Sequence, residues 1–473
     1  SQISEATSLS IDEQKERGIN LSQLENEAND IEKEISRKSD DYKKILDEKN
    51  ITLQDIQKEL KPNDAVIEYI DFRYYDKKWT DTIYYCALIV KPEYINPVLV
   101  KLCTLDELKE FFIFPSEDKE SYVNNPQKNH SLYKLIFQPL EEYLAGVDNI
   151  YISPTGILNK VSFSSLIDSE LKSRNQLLLD RYNINYPGNI KDIVKKDDIQ
   201  NKLSQKTAVV FGGIKYDLDS AALLTTSSKF RGEIDEKEFI PEGGIIIQDN
   251  ISYGKFNYLP GSLEEANIIT DILKKNNFTV TEYTGEEAVE EAFKTHNFDK
   301  APQILHISTH GFFFPEPDKK YEKSGITESR QVFRLSDNPL FRSGLVFAGA
   351  NRIFTGGSEI EGVENGILTA YEVSNMDLSN VELVVLSACE TGLGDIKGGE
   401  GVFGLQRAFK TAGVKTIIMS KWKVPDEQTV ELMQLFYSNW LDKQMDKYTA
   451  FREAQKQMSK KYEPYFWAAF IIQ

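Results

Sequence analysis

Cysteine is scarce in this chain: three residues in 473, at Cys86, Cys103 and Cys389. An odd number, so widely spaced, argues against a disulfide framework and suits a reducing cytoplasm. Histidine is nearly as rare, with four residues. Only His306 and His310 have a metal-like i, i+4 spacing. They fall on a strand and its following turn, with no further His or Cys close by, so neither metal nor cofactor is expected. Basic residues are outnumbered, 56 against 74 acidic, for a net charge of -18. Phosphate backbones are repelled by such a charge, which disfavours direct nucleic-acid binding. No apolar run approaches the roughly 18 residues of a membrane span. The opening SQISEATSLSIDEQKERG has no basic region followed by an apolar core, so no secretory leader is read and a cytoplasmic location is expected.

What is present is ordinary globular material, 40% apolar and 27% charged, in a chain longer than one core usually holds. Two or three domains are expected. Leu21, Leu24, Ala28, Ile31 and Ile35 form one apolar stripe at helical spacing. Lasting barely two heptads, it fits a docking helix better than a coiled coil, and Lys61-Pro62-Asn63-Asp64 ends it. From there strands are read at 65–70, 83–90 and 97–102, helical sequence to about 145, and a strand into a turn over 147–156. The polar stretch 194–206 marks a boundary. The second half alternates: strand 207–213, helix 263–275, strand 278–283, helix 286–296, strands 303–308 and 381–388, helix 401–413, strand 414–420 and helix 427–441. That alternation predicts a parallel sheet covered on both faces. Segment 312–365 reads as one long loop, and the Lys- and Glu-dense 447–461 as a solvated helix.

Open parallel sheets place their ligand sites at the carboxyl ends of the strands. His310 follows ILHIST, and Cys389 follows VELVVLSA. If those strands are neighbours, imidazole and thiol meet, as a thiol nucleophile requires. Gly311 and the backbone N–H of Cys389 would then hold an oxyanion. On spacing alone a second reading stands beside this one, in which Cys389 is a core thiol and His310 a satisfied polar residue. For Cys86 and Cys103, in or beside apolar strands, the core reading is preferred. The run Gly399 to Gly404 matches a dinucleotide fingerprint literally, but about ten residues separate it from its strand, where the motif demands a tight turn.

Taken in order, ILHISTHGFF, NPLFRSGLVFAGAN, VVLSACETGLGDIKGGEGVFGLQRAFKTAGVKTIIMSKWKVPDEQT and PYFWAAFIIQ resemble the CHAT family of caspase-like cysteine proteases. IYISPTGILNKVSFSSLI and LPGSLEEANIITDIL extend the resemblance back to about residue 60. It implies an α/β, caspase-like parallel-sheet sandwich. A helical connector (1–60), of the kind that follows tetratricopeptide repeats, would precede a degenerate subdomain (61–205) and an active one (206–473). It implies a cysteine endopeptidase with a His310 and Cys389 dyad, no third catalytic residue and no cofactor, cutting a protein substrate under an upstream sensor or activator, with bacterial defence as the setting. Ser420 and Trp422 are implied to flank the substrate, and Asp426 to face a basic side chain, with capping of the following helix as its alternative. Where metacaspases carry an Asp two residues before the nucleophile, this chain has Ser387. A non-catalytic adaptor of the same fold, or acyl transfer on a small molecule, are the rival functions.

Overall fold

Strands with no polar face must be buried on both sides, and two such strands organise this molecule. The computed structural model describes residues 51–112, 122–168, 177–194, 205–230, 255–313, 339–355, 357, 360, 362–387, 395–396 and 402–473. The chain divides into two units, Ser1–Glu59 with Lys191–Ile199, and Leu60–Ile190 with Gln200–Gln473. In the smaller unit the described residues form a short helix, Leu53–Glu59, and a 3-10 turn ending at Ile193. The helix is opened by a reciprocal pair: Asp55 N donates to Thr52 Oγ1, and Thr52 N to the Asp55 carboxylate. The apolar stripe from Leu21 to Ile35 lies outside the described residues.

The larger unit opens with a five-stranded sheet in the order β3-β2-β1-β4-β5. Its strands are β1 (Asp64–Asp76), β2 (Lys78–Val90), β3 (Val98–Thr104), β4 (Asn149–Ser153) and β5 (Asn183–Asn185). β1 and β2 are a long hairpin. β4 pairs with β1 only up to Glu68, and β3 with β2 only from Tyr84, so the far end of the hairpin is a lone ribbon. That end exposes Phe72, Tyr74, Tyr75 and Trp79, the last 67% exposed. Helix α1 (Pro126–Ile136) begins with proline at its first turn, where a missing N–H costs nothing, and Asn125 caps it by accepting from Lys128 N.

The second sheet has six strands in the order β16-β15-β12-β8-β6-β7, all parallel except the antiparallel edge strand β16. In chain order its elements are β6 (Thr207–Ile214), helix α2 (Pro260–Lys275), β7 (Thr279–Gly285) and β8 (Ile304–Ser308). All five residues of β8 are buried, as are all five of β12 (Leu383–Ser387). Period-two alternation divides their side chains between two cores. Val209, Phe211, Leu305, Ile307, Val384 and Leu386 face a core shared with the five-stranded sheet. Ala208, Val210, Ile304, Leu383 and Val385 face the core beneath the helices that follow. The expected parallel sheet covered on both faces is therefore present.

Segment 312–365 is not one loop. β9 (Gly311–Phe313), β10 (Ser343–Val346) and β11 (Ile367–Thr369) form a small antiparallel sheet, because the backbone of β10 finds partners on both edges. A helical turn, Asn351–Phe354, follows β10. The helix expected over 286–296 shrinks to Glu290–Lys294, since Ala348 N bonds Ala288 O and holds the chain before it extended. Past β12, the two-residue strands β13 (Asp395–Ile396) and β14 (Val402–Phe403) pair, which delays helix α3 to Leu405–Thr411 instead of 401. β15 (Ile417–Ser420), helix α4 (Asp426–Tyr437), helix α5 (Lys447–Ser459) and β16 (Phe470–Ile472) complete the unit. Helix α5 is not simply solvated: Ala450, Phe451, Ala454 and Met458 are buried. Lys447, also buried, donates to Thr416 Oγ1 at 3.0 Å and Glu382 O at 3.2 Å.

Candidate active site

β8 and β12 are direct parallel neighbours, with Ser308 opposite Ser387. Their carboxyl ends open into a small cleft. Helix α2 and its approach contribute Leu259, Gly261, Ser262 and Glu265, and the strand ends contribute Ser308, Thr309, Ser387 and Ser420. Val424, Asp426, Thr429 and Phe470 close the far side.

His310 is held on every side. Thr309, just before it, is buried and donates its hydroxyl to Val346 O at 2.5 Å, while His310 O accepts from Val346 N at 3.0 Å. Those bonds fasten the turn to β10. The imidazole packs against the rings of Tyr216 and Phe256, with centroids at 5.0 and 5.1 Å, and those two rings touch each other at 6.1 Å. Its Nε2 is 2.8 Å from Asn257 O. A carbonyl oxygen can only accept, so a neutral imidazole bonded this way carries its proton on Nε2 and leaves Nδ1 as the lone-pair nitrogen. Burial pulls the pKa of His310 below its ordinary value, with Lys423 adding to that, against the Asn257 bond and Asp426. The group is therefore neutral, and able to accept a proton, at neutral pH.

Beneath the cleft lies a polar network that sequence reasoning missed. Glu265, on the buried face of α2, accepts from Ser308 Oγ at 2.8 Å and from Ser387 Oγ at 2.9 Å, both on Oε2. One carboxylate oxygen thus ties together the ends of β8 and β12. Its other oxygen is 3.1 Å from His306 Nε2 but makes no hydrogen bond there. His306, completely buried, has its Nδ1 3.3 Å from Tyr437 Oη. It faces the network. A signal for Glu265 existed: it falls in the apolar row Ser262, Ala266, Ile269 and Leu273, where a charged residue has no reason to be unless it is bonded.

The remaining expected residues divide. Ser420 lines the cleft. Trp422 does not, its indole N–H donating to Tyr465 O at 2.9 Å. Asp426 lines the cleft as the first residue of α4, whose cap position belongs to Pro425, so the capping alternative fails. Gly261 permits the approach of Asp426, because a Cβ there would lie 2.4 Å from the Asp426 Cβ. Gly311 begins β9, next to His310. Cys389 lies outside the described residues, as does the Gly399 to Gly401 part of the glycine run. Cys86 and Cys103 are buried, and burial pushes both thiols up, Cys103 to about 12, which removes them as nucleophiles.

Among the described residues one acidic cluster, Glu290, Glu364 and Glu372, has metal-like spacing. The Lys294 ammonium already fills it, 2.8, 2.9 and 2.9 Å from the three carboxylates. No described helix is long and apolar enough to cross a membrane.

Comparison with known proteins bears on the whole. Over 109 residues, 22% of this chain, it is 34% identical to human tetratricopeptide repeat protein 28, and the match spans 4% of that relative. Among solved structures, the Arg-specific cysteine proteinase gingipain R matches with a TM-score of 0.38 at 9% identity, over 77% of this chain and 68% of its own. The complex of Porphyromonas gingivalis RgpB pro- and mature domains gives 0.35 at 9%, over 73% and 67%. The model of the CHAT domain matches residues 127–473, beginning later than the resemblance near residue 60 suggested. The chain belongs to the CHAT-domain family.

Proposed function

We propose that the chain is a cysteine endopeptidase in which Cys389 is the nucleophile and His310 the base. The observation that carries this reading is the bond from His310 Nε2 to Asn257 O, which commits Nδ1 to accepting a proton. The strand register supports it: Ser308 and Ser387 are paired, and His310 and Cys389 each follow their serine by two residues. In this reaction Nδ1 takes the thiol proton as Sγ bonds to the scissile carbonyl carbon. The backbone N–H groups of Gly311 and Cys389 hold the oxyanion, and the proton passes to the amine nitrogen as the C–N bond breaks. Water, deprotonated by the same imidazole, then hydrolyses the thioester.

Ser420 and Asp426 are proposed to border the substrate within the cleft, and Trp422, between them in the chain, to border it outside the cleft. Among the described residues, the lining of the cleft holds two carboxylates, Glu265 and Asp426, and no Lys or Arg. A basic side chain would be matched there, despite Ser387 standing where metacaspases have an acid. Residues 61–205 are proposed to support the active subdomain 206–473 without chemistry of their own. The remaining parts of the proposal are a cytoplasmic setting, one protein partner as substrate, control by an upstream activator and a role in bacterial defence.

Covalent labelling tests it. A peptidyl chloromethyl ketone ending in arginine should label Cys389 and fail in His310→Ala, and its norleucine counterpart should label far more slowly. Absence of labelling by either reagent, with the activator region intact, would leave the non-catalytic adaptor as the answer.

A further inference from the structure

The bond that orients His310 comes from residue 257, in a stretch that belongs to neither helix nor strand. What holds that carbonyl in place is itself a side chain. Asn351 is 1% exposed and begins the helical turn after β10. Its Oδ1 accepts from Phe256 N at 2.8 Å, and its Nδ2 donates to Phe256 O at 2.9 Å. The two bonds fix the amide orientation, since a flipped amide would set donor against donor and acceptor against acceptor. One side chain therefore grips both polar groups of Phe256, as a neighbouring strand would. The next peptide unit carries the carbonyl that receives the proton of His310 Nε2.

The same asparagine reaches the histidine by a second route. Its backbone N–H donates to Tyr216 O at 3.0 Å. Tyr216 packs against the imidazole and bonds Thr309 Oγ1 at 3.0 Å. Phe256, whose ring also lies against the imidazole, packs edge-on against Phe354 of the Asn351 turn at 4.7 Å.

We propose that Asn351 is a positioning residue for His310, fixing its tautomer by clamping Phe256 so that Asn257 O faces Nε2. This rests on the reading of His310 as the base, but its test does not need a working nucleophile. In the full-length protein with 15N-labelled histidine, two-bond 1H–15N spectra report which ring nitrogen carries the proton, with His310 identified by its loss in His310→Gln. Wild type should show the Nε2–H form alone. Asn351→Ala should give a mixture of tautomers, a His310 titration midpoint moved further down because the Asn257 bond that favours the charged imidazole is weakened, and at least a tenfold slower labelling of Cys389. Asn351→Asp keeps the acceptor for Phe256 N and should fall between; it also serves if the alanine variant does not fold. A folded variant with the wild-type tautomer and midpoint would overturn the proposal. If wild type shows the tautomer but never labels, the protease reading fails while the positioning role is still decided by the spectra.

Discussion

Lys421, between Ser420 and Trp422, is a buried cation with no carboxylate in contact among the described residues, and its removal should change how stability depends on pH. Its ammonium donates to Asn159 O, in the segment after β4, and lies 5.5 Å from the ring of Tyr186. Burial pulls its pKa from 10.5 down to about 7. In the unfolded chain it keeps the higher value, so between pH 7 and 10.5 the unfolded state binds more protons. Stability therefore rises with pH across that window, by about 1.4 kcal/mol per unit and about 5 kcal/mol in all. Below pH 7 the lysine is charged in both states and the slope vanishes. Lys421→Met keeps the volume and abolishes the titration. It also leaves Asn159 O without its donor, a pH-independent cost of about 1–3 kcal/mol, so the slope is the diagnostic quantity. Urea unfolding at pH 7.5, 8.5 and 9.5 should show wild type gaining about 2–3 kcal/mol more than the variant over those two units. Lys447, pulled down to about 8, contributes with the same sign in both proteins and cancels. Parallel slopes would refute the argument and imply that Lys421 is hydrated.

Three further outcomes are expected. Lys294→Met strips the cation from Glu290, Glu364 and Glu372 and should destabilise the protein by about 3–5 kcal/mol at pH 7. Burial already holds Glu290 above the ordinary carboxylate range against the pull of Lys294, so the stability this group gains as pH falls to 5 should be larger in the variant than in wild type in the same urea assay. Gly261→Ala drives a methyl into Asp426 Cβ and should cost about 1–3 kcal/mol by calorimetry, with the preference for arginine over norleucine reagents falling at least tenfold. Glu265→Gln removes charge but keeps an acceptor for Ser308 and Ser387. It should fold with near-native melting and lose selectivity for the basic reagent, whereas Glu265→Ala should slow labelling by both, because the strand ends are no longer joined.

Much of the second half was readable because its strands are apolar without interruption and its helices are periodic. ILHIS and LVVLS can only be central strands, and from that their carboxyl ends become the site. Where the reading failed, tertiary hydrogen bonds had overridden local pattern. Residues 286–289 have helical composition, but Ala288 O is taken by Ala348 N. The serine- and glycine-bearing residues 343–346 look like loop, yet partners on both edges make them a strand. Asp426 looked like a cap and lost that role to Pro425 by one residue, within the margin of any boundary read from sequence. Glu265 shows in the sequence only as a charge in the buried row of its helix and Asn351 not at all, and the partners of both are hidden for another reason. Their meaning lies in contacts across 43 to 122 residues, which no local pattern encodes.

The lone end of the β1–β2 hairpin has an optical consequence. Trp79 stands in solvent there, against Tyr75 at a ring separation of 5.2 Å, whereas Trp440 and Trp467 are buried and Trp422 is partly covered against Tyr465. These are the four tryptophans of the chain. The red edge of the intrinsic emission should therefore come from Trp79, and iodide should quench it first. Trp79→Phe would darken that edge without touching the core, leaving Trp422 as the most accessible fluorophore and so a built-in light source beside the segment that leads from Ser420 to Asp426.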